Sequence, residues 1–235
     1  MLSIIIPVKN EEQIIESTLE KITKEINNID YEIVIIDDFS NDETENKIKA
    51  FLKNSKKIKF FKNKKKGLGP LIEYGVEVSE GEFVAIMMAD LSDDLEDLKK
   101  YYEIIENSDY DAVLGSRFLK NSKVIDYPKF KLFLNRLFNY FVKLIFISNY
   151  NDFTNAFKIY RRKTLLNLNP FVSESFNIFL ELPLKIISRN YNYKIIPIKW
   201  HNRKIGKSKF KIKELGAKYI FTLIYCFAEK ILLKK

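Results

Sequence analysis

Five short apolar runs alternate with helical patterns through the first half of this 235-residue chain. They are Leu2 to Val8, Tyr31 to Ile36, Ile58 to Phe61, Phe83 to Met88 and Ala112 to Leu114. Their length and apolar character read as strands covered on both faces. Between them, Ile14, Ile15, Leu19, Ile22 and Ile26 recur at helical spacing, and Glu45 to Leu52, Pro70 to Val78 and Leu95 to Glu106 read as further helices. Asn10, with Gln13 three residues on, has the form of a capping box for the first helix. Such alternation implies the α/β class, with a mostly parallel sheet between two helical layers. Ligands of such sheets lie beyond the carboxyl ends of the strands. Three runs lead into Asp37-Asp38, Asp90 and Gly115-Ser116-Arg117, so these groups are expected to converge on one sheet edge.

The composition narrows the function. Hydrophobic residues make up 46% of the chain, enough for a sizeable core. One cysteine, Cys226, excludes an intrachain disulfide and fits a reducing compartment. One histidine, His201, excludes a two-histidine metal site. Acidic residues soon after the apolar start make it a strand rather than a secretory leader. No run of about 18 apolar residues suggests a simple membrane span.

The net charge of +9 is unevenly spread: residues 1–120 carry −8 and residues 121–235 carry +17. In the basic half, Phe, Leu, Ile and Tyr fill the spaces between charges, which favours a membrane surface over nucleic acid. A helix is expected over about 128–148, after Pro128. Its polar residues Lys131, Asn135, Asn139 and Lys143 recur every four positions, with Arg136 beside them. Such a helix is either buried in a soluble domain or laid on lipid. Tyr219 to Leu233 repeats the pattern, as interfacial or packed helix. The expected organisation is one domain over residues 1–210 and an apolar, basic helix over residues 211–235.

Several residues could carry chemistry. Asp37 and Asp38 suit a nucleobase or ribose, or else a turn and helix cap. Asp90 and Asp93 offer hard oxygen ligands for Mg²⁺ or Mn²⁺, although Asp93 and Asp94 also fit the acidic first turn of a helix. Lys64 to Gly69 is a basic loop that could approach phosphates through charge and backbone N–H groups, Gly67 and Gly69 allowing close approach. Arg117, Lys131 and the stretch Arg203 to Lys209 are candidates for anion contact.

Together these stretches resemble inverting glycosyltransferases of family 2, with a GT-A (Rossmann-like) fold. The nearest resemblance is to polyprenyl-phosphate glycosyltransferases of the dolichol-phosphate mannosyltransferase group. It rests on Ser3 to Glu12, Glu32 to Ser40, Gly67-Leu68-Gly69, Ala89 to Ser92, Gly115 to Arg117, Phe157-Lys158, Glu181, and Arg203 with Gly206, Ser208 and Lys209. The resemblance implies that Pro7, Asn10, Glu11 and Asp38 line a nucleotide pocket, and that Asp90 holds a metal-diphosphate. Arg117 and Lys131 would contact the acceptor phosphate, and Arg203, Ser208 and Lys209 would close on the donor. Met88 departs from the pattern, standing where the first aspartate of Asp-X-Asp is usual, and Ser92 stands where a stronger ligand often sits.

The resemblance also implies a nucleotide-sugar donor (GDP-mannose or a UDP-hexose), a polyprenyl-phosphate acceptor and peripheral attachment at the cytoplasmic face of a membrane, with or without a membrane-protein partner. If the acceptor is instead a sugar hydroxyl, a general base is needed, and Asp93, Asp94 or Glu181 could serve. A non-catalytic basic protein binding membrane or nucleic acid is the remaining alternative.

Overall fold

Strand β1 (Leu2–Val8) is buried at every residue and lies inside the sheet. It pairs in parallel with β2 (Tyr31–Asp37) on one side and with β4 (Phe83–Ile86) on the other. Strand β3 (Ile58–Lys62) extends the sheet in parallel beyond β2. The computed structural model describes residues 1–53, 55–203 and 212–233. Helices α1 (Ile15–Glu25), α2 (Thr44–Leu52), α3 (Leu68–Val78) and α4 (Leu95–Glu106) connect these strands and lead on to β5 (Ala112–Ser116).

The second half of the chain completes the sheet. Strand β7 (Lys158–Arg161) inserts antiparallel between β4 and β5, and β8 (Tyr193–Pro197) pairs parallel to β5. The order is β3-β2-β1-β4-β7-β5-β8. Because β7 opposes both neighbours, β5 runs parallel to β4, and the carboxyl ends of β1, β2, β4 and β5 share one edge. Strands β6 (Lys123–Ile125) and β9 (Lys199–His201) form a separate parallel ribbon.

Strand side chains alternate between two cores. Ile4 and Ile6 join Leu19 and Ile22 of α1 and Leu98 and Tyr101 of α4. Ile5 points the other way, toward Leu71 and Ile72 of α3 and Leu180 of α7 (Ile178–Ser188). Helix α6 (Arg162–Asn167) adds Leu165 to this second core.

Two local expectations need correction. Asn10 does not cap α1: it has a positive φ of 50°, and Ile14 occupies the N-cap. The Glu11 carbonyl takes the N–H groups of Ile14 and Ile15, so a turn separates Asn10 from the helix. Strand β4 stops at Ile86, not Met88. The Met87 N–H donates to the Ile5 carbonyl, which places the backbone groups of Ile5, and two residues on those of Pro7, toward β4. Proline has no N–H to give, so the ladder ends there. Helix α8 (Ile212–Leu232) falls where a C-terminal helix was expected. It packs on α7, where Ser188 donates to the Cys226 carbonyl and Arg189 Nε lies 2.6 Å from Glu229.

Helix α5 (Lys129–Phe146) turns Asn139, Val142 and Phe146 inward. Asn139 is fully buried and Asn135 half-buried, whereas Phe130, Phe133, Tyr140, Phe141 and Leu144 are exposed, Phe133 to 62%. Phe146 meets Phe227 of α8 edge-on, and Ile220, Phe221 and Ile224 of α8 are exposed as well. Among the described residues, no helix is long and apolar enough to cross a membrane.

Candidate active site

The chain runs β1, β2, β3 in one direction and then returns to the other side of β1 for β4. That reversal opens a crevice at the carboxyl ends of β1 and β4, the usual ligand position in an open α/β sheet. Pro7 stands at its root, because it ends the pairing between the two strands. Asn10 and Glu11 follow on one wall. Asn10 donates its N–H to Ser40 and accepts from Asn41, and the Glu11 N–H donates to Thr44. The loops after β1 and β2 are thereby tied together.

Asp90 follows β4 on the other wall. The Ala89 carbonyl accepts from Thr18 of α1, which fixes the turn. One Asp90 oxygen takes the Ser92 N–H and hydroxyl at 3.1 and 2.7 Å. The other lies 3.8 Å from Arg203 Nε, and Arg203 Nη2 lies 2.9 Å from Glu11. Arg203 arrives there from the small ribbon: the His201 N–H donates to the Ser92 carbonyl and the Asn202 N–H to the Ile125 carbonyl. Glu11, Asp90 and Arg203 thus meet across the crevice. Ser208 and Lys209 lie outside the described residues. His201 carries a backbone contact rather than chemistry.

Asp37 and Asp38 point their charges into the protein. Asp37 accepts from the Ser40 N–H in a local turn. Asp38 accepts from Lys9 at 2.9 Å, Asn63 at 3.0 Å and the Gly67 N–H at 2.9 Å. Burial opposes its charge, but those three donors outweigh burial and hold its carboxyl below the usual range. The glycines of the basic loop are explained by packing. A Cβ at Gly67, where φ is +125°, would sit 2.5 Å from the Glu174 carbonyl, and one at Gly69 only 1.6 Å from the Ser173 carbonyl. The Gly67 N–H is already engaged by Asp38 and is not free for a phosphate.

At the end of β5, Arg117 forms a buried two-point pair with Asp152, Nε and Nη2 lying 2.8 and 2.7 Å from its two oxygens. Burial opposes the guanidinium charge, and Asp152 more than restores it. Nη2 also reaches Thr154 at 3.3 Å. Thr154 meets Asn135 and Asn139 of α5, and Asn139 accepts from the Phe153 N–H at 2.6 Å. Asn135 and Asn139 of α5 therefore hold the segment that holds Arg117. Lys131 is exposed in the first turns of α5.

Asp93 lies between the two ends of the site. It is buried, and its backbone bridges to Trp200, whose ring lies 5.7 Å from the Arg117 guanidinium. Burial and the neighbouring Asp90 push its carboxyl up to about 8. Burial likewise pulls Lys158 down to about 7, against the pull of Asp152. Glu181 is not placed to act as a base. It is fully buried, 2.7 Å from Lys185, and takes the N–H groups of Val172 and Ser173.

Among the described residues, no three carboxylate, cysteine or histidine groups gather as a metal site. Asp90 and Asp93 are two hard-oxygen groups close enough for one to raise the pKa of the other, an arrangement that a divalent cation would relieve. Met88 adds no ligand. The residues thus fit an ion that takes its other ligands from a diphosphate and water, as Mg²⁺ commonly does.

Residues 3–168 match the family model described as glycosyl transferase family 2. The chain belongs to this family. Among curated relatives, it is 29% identical over 220 residues to a dolichol-phosphate mannosyltransferase of Pyrococcus furiosus, covering 91% of this chain and 60% of that protein. It is also 29% identical over 184 residues to a dolichyl-phosphate beta-glucosyltransferase of Dictyostelium discoideum, covering 72% and 56%. The chain thus spans little more than half the length of these relatives. Its fold superposes on glucosyl-3-phosphoglycerate synthase from Mycobacterium tuberculosis, solved with Mn²⁺, UDP and phosphoglyceric acid. The TM-score is 0.75 at 16% identity, over 97% of this chain and 78% of that one. The fold is GT-A.

Reading the sequence did not single out Lys9, Asn63, Asp152 or Thr154. Asp152 carried a usable signal, as one of few acidic residues in a strongly basic half.

Proposed function

We propose that this family 2 enzyme transfers a hexose from a nucleotide sugar to a polyprenyl phosphate at a membrane surface. The observation that carries the reading is the wide exposed apolar face of α5. On that helix Asn135 and Asn139 support the Arg117 segment, and the aromatic and aliphatic face is left toward the outside. An enzyme with a water-soluble acceptor has no use for an apolar face joined to its site, whereas a lipid-borne acceptor requires one. The basic second half suits the anionic cytoplasmic face of a membrane. The names of the dolichyl-phosphate relatives support the acceptor class.

The donor lies in the β1–β4 crevice, its nucleotide against Pro7, Asn10, Glu11 and the Asp37-Asp38 turn. Arg203, with Ser208 and Lys209, closes on its diphosphate. A divalent cation on Asp90 and Asp93, Mg²⁺ or Mn²⁺, would neutralise that diphosphate and favour its departure. An acceptor phosphate oxygen then forms a bond to the anomeric carbon. The bond to the diphosphate breaks, and the nucleoside diphosphate leaves with the electron pair. A phosphate monoester has its second pKa near ~6, so the nucleophile is already anionic and needs positioning rather than a base. The engagement of Glu181 in a buried ion pair is in keeping with this.

The test is a transfer assay over a panel of GDP and UDP sugars with Mn²⁺ and a short polyprenyl phosphate. A lipid-extractable glycosyl phosphate identified by mass is the expected product. Donor turnover onto a sugar hydroxyl, with no such lipid, would refute the reading.

A further inference from the structure

We infer that Glu181 and Lys185 of α7 are positioning residues for the donor, acting through the segment 168–174 on the turn that carries Gly67 and Gly69. This rests on the reading that the donor nucleotide lies against the Asp37-Asp38 turn. Both side chains are fully buried, 2.7 Å apart. Such a pair is a poor device for stability alone, because two charges must leave water and an apolar pair of similar volume is often as stable.

What the pair supplies is direction. Glu181 accepts from the Val172 and Ser173 N–H groups at 2.9 and 2.8 Å. Lys185 donates to the Leu168 carbonyl at 3.1 Å and to the Pro170 carbonyl. Backbone groups of four residues in one segment are thus tied to two side chains one helical turn apart. Helix α8 adds less to this segment. Its Thr222 hydroxyl approaches that of Ser173 only to 3.4 Å, and the Lys218–Glu174 pair is exposed, where such pairs are worth little.

The same segment presses on the turn after β3. The Ser173 and Glu174 carbonyls lie where a Cβ at Gly69 or Gly67 would stand, so the two backbones are in direct contact. The Gly67 peptide is held from its other side as well. Its N–H donates to Asp38, and its carbonyl accepts from Asn63, which also donates to Asp38. Ion pair, segment, glycine turn and Asp38 are therefore consecutive contacts. Glu181→Gln disturbs the first of them with little change of shape. The partners of Glu181 are all donors, so a glutamine NH₂ group finds no acceptor among them. Gly69→Ala disturbs the same contact from the opposite side. A double-mutant cycle shows whether the two act on one element.

The experiment measures GDP and UDP binding with Mn²⁺ by calorimetry, and transfer kinetics with farnesyl phosphate. It compares the wild type, Glu181→Gln, Gly69→Ala, the double variant and Ile22→Ala, a change in the core on the other face of the sheet. Glu181→Gln is expected to raise the Kd of the nucleotide that the wild type binds about three- to tenfold. The KM of the matching nucleotide sugar should rise with it, and the farnesyl phosphate KM should stay unchanged. Gly69→Ala should act in the same direction, and the double variant should show less than the product of the two effects. Ile22→Ala should lower the melting temperature and leave the nucleotide Kd unchanged. Effects that multiply in the double variant would overturn the proposal. An equal loss of affinity in Ile22→Ala would overturn it too, by assigning the effect to stability. An unaltered nucleotide Kd in Gly69→Ala would overturn it even where Glu181→Gln does not fold. A wild type that binds neither nucleotide would remove the underlying reading and the proposal with it, and is recognised before any variant is compared.

Discussion

Arg203 Nη2 lies 2.9 Å from Glu11, joining two residues that are 192 positions apart in the chain. The same guanidinium approaches Asp90 to 3.8 Å. A protein cation thus lies between the carboxylates of Glu11 and Asp90. Arg203→Gln is expected to act in opposite directions on two ligands. The donor KM should rise about tenfold, because a charge-assisted contact to phosphate is lost. Binding of Mn²⁺ alone should tighten a few-fold, because Asp90 loses a competing cation. Steady-state kinetics and a metal titration on the same preparation check both.

The buried pair Asp93 and Lys158 gives the metal-free protein an unusual pH profile. Asp93 is raised to about 8, above its unfolded value, so the stability from its proton is present below about pH 4 and is lost as pH rises toward 8. Lys158 is lowered to about 7, so its contribution is present above about pH 10.4 and is lost as pH falls toward 7. The two losses overlap, and stability to urea in EDTA should pass through a minimum near pH 7–8. Asp93→Asn should flatten the acid side of that minimum and leave the alkaline side. Urea titrations across the range decide it.

Asn139 links the outer helix to the site. Its oxygen accepts from the Phe153 and Thr154 N–H groups, and its amide donates to Asn135 and Thr154. Asn139→Ala leaves the buried Phe153 N–H without a partner and should cost about 1–3 kcal/mol. Because Thr154 and Asp152 hold Arg117, kcat should fall further than the stability loss alone explains. Denaturation and kinetics at a temperature where the variant is fully folded separate the two effects.

The apolar face should be separable from stability. Phe133 and Phe141 are 62% and 54% exposed, so replacing both by Asp removes little core. Burial of a phenylalanine side chain is worth about 1.5–3 kcal/mol, so binding to neutral vesicles should fall at least tenfold. The melting temperature should stay within a degree or two of the wild type, and flotation with thermal melts checks both.

Strands β1, β2, β4 and β5 were legible because each lies within the sheet and is apolar on both faces, as Ile4, Ile5 and Ile6 illustrate, and the edge strand β3 was legible through Ile58, Phe60 and Phe61. Strand β7 was not, because Lys158 and Arg161 read as surface charges, although Lys158 is buried. The edge strand β8 carries Lys194 and is covered on one face only, so it left no clear signal. At the site, the strand-end rule brought Asp90 to the correct edge, and the resemblance pointed to Glu11 and Arg203. The partners of Arg117 were hidden, because Asp152 lies 35 residues away and no local pattern links them. The periodicity of α5 located its polar seam but not its direction. Only packing decides which face a helix buries, and here Asn139 goes inward together with Val142 and Phe146.

The most direct measurement is a competition among three acceptors in one reaction: a polyprenyl phosphate, the matching polyprenol and a soluble phosphate monoester such as phosphoglycerate. Each is supplied at equal concentration with a turned-over nucleotide sugar and Mn²⁺, and products are resolved by mass. Transfer only to the polyprenyl phosphate, lost with EDTA and slowed by Phe133→Asp with Phe141→Asp, is the expected result. Equal or preferred transfer to phosphoglycerate, or any transfer to the polyprenol, would contradict a lipid-phosphate acceptor delivered along α5.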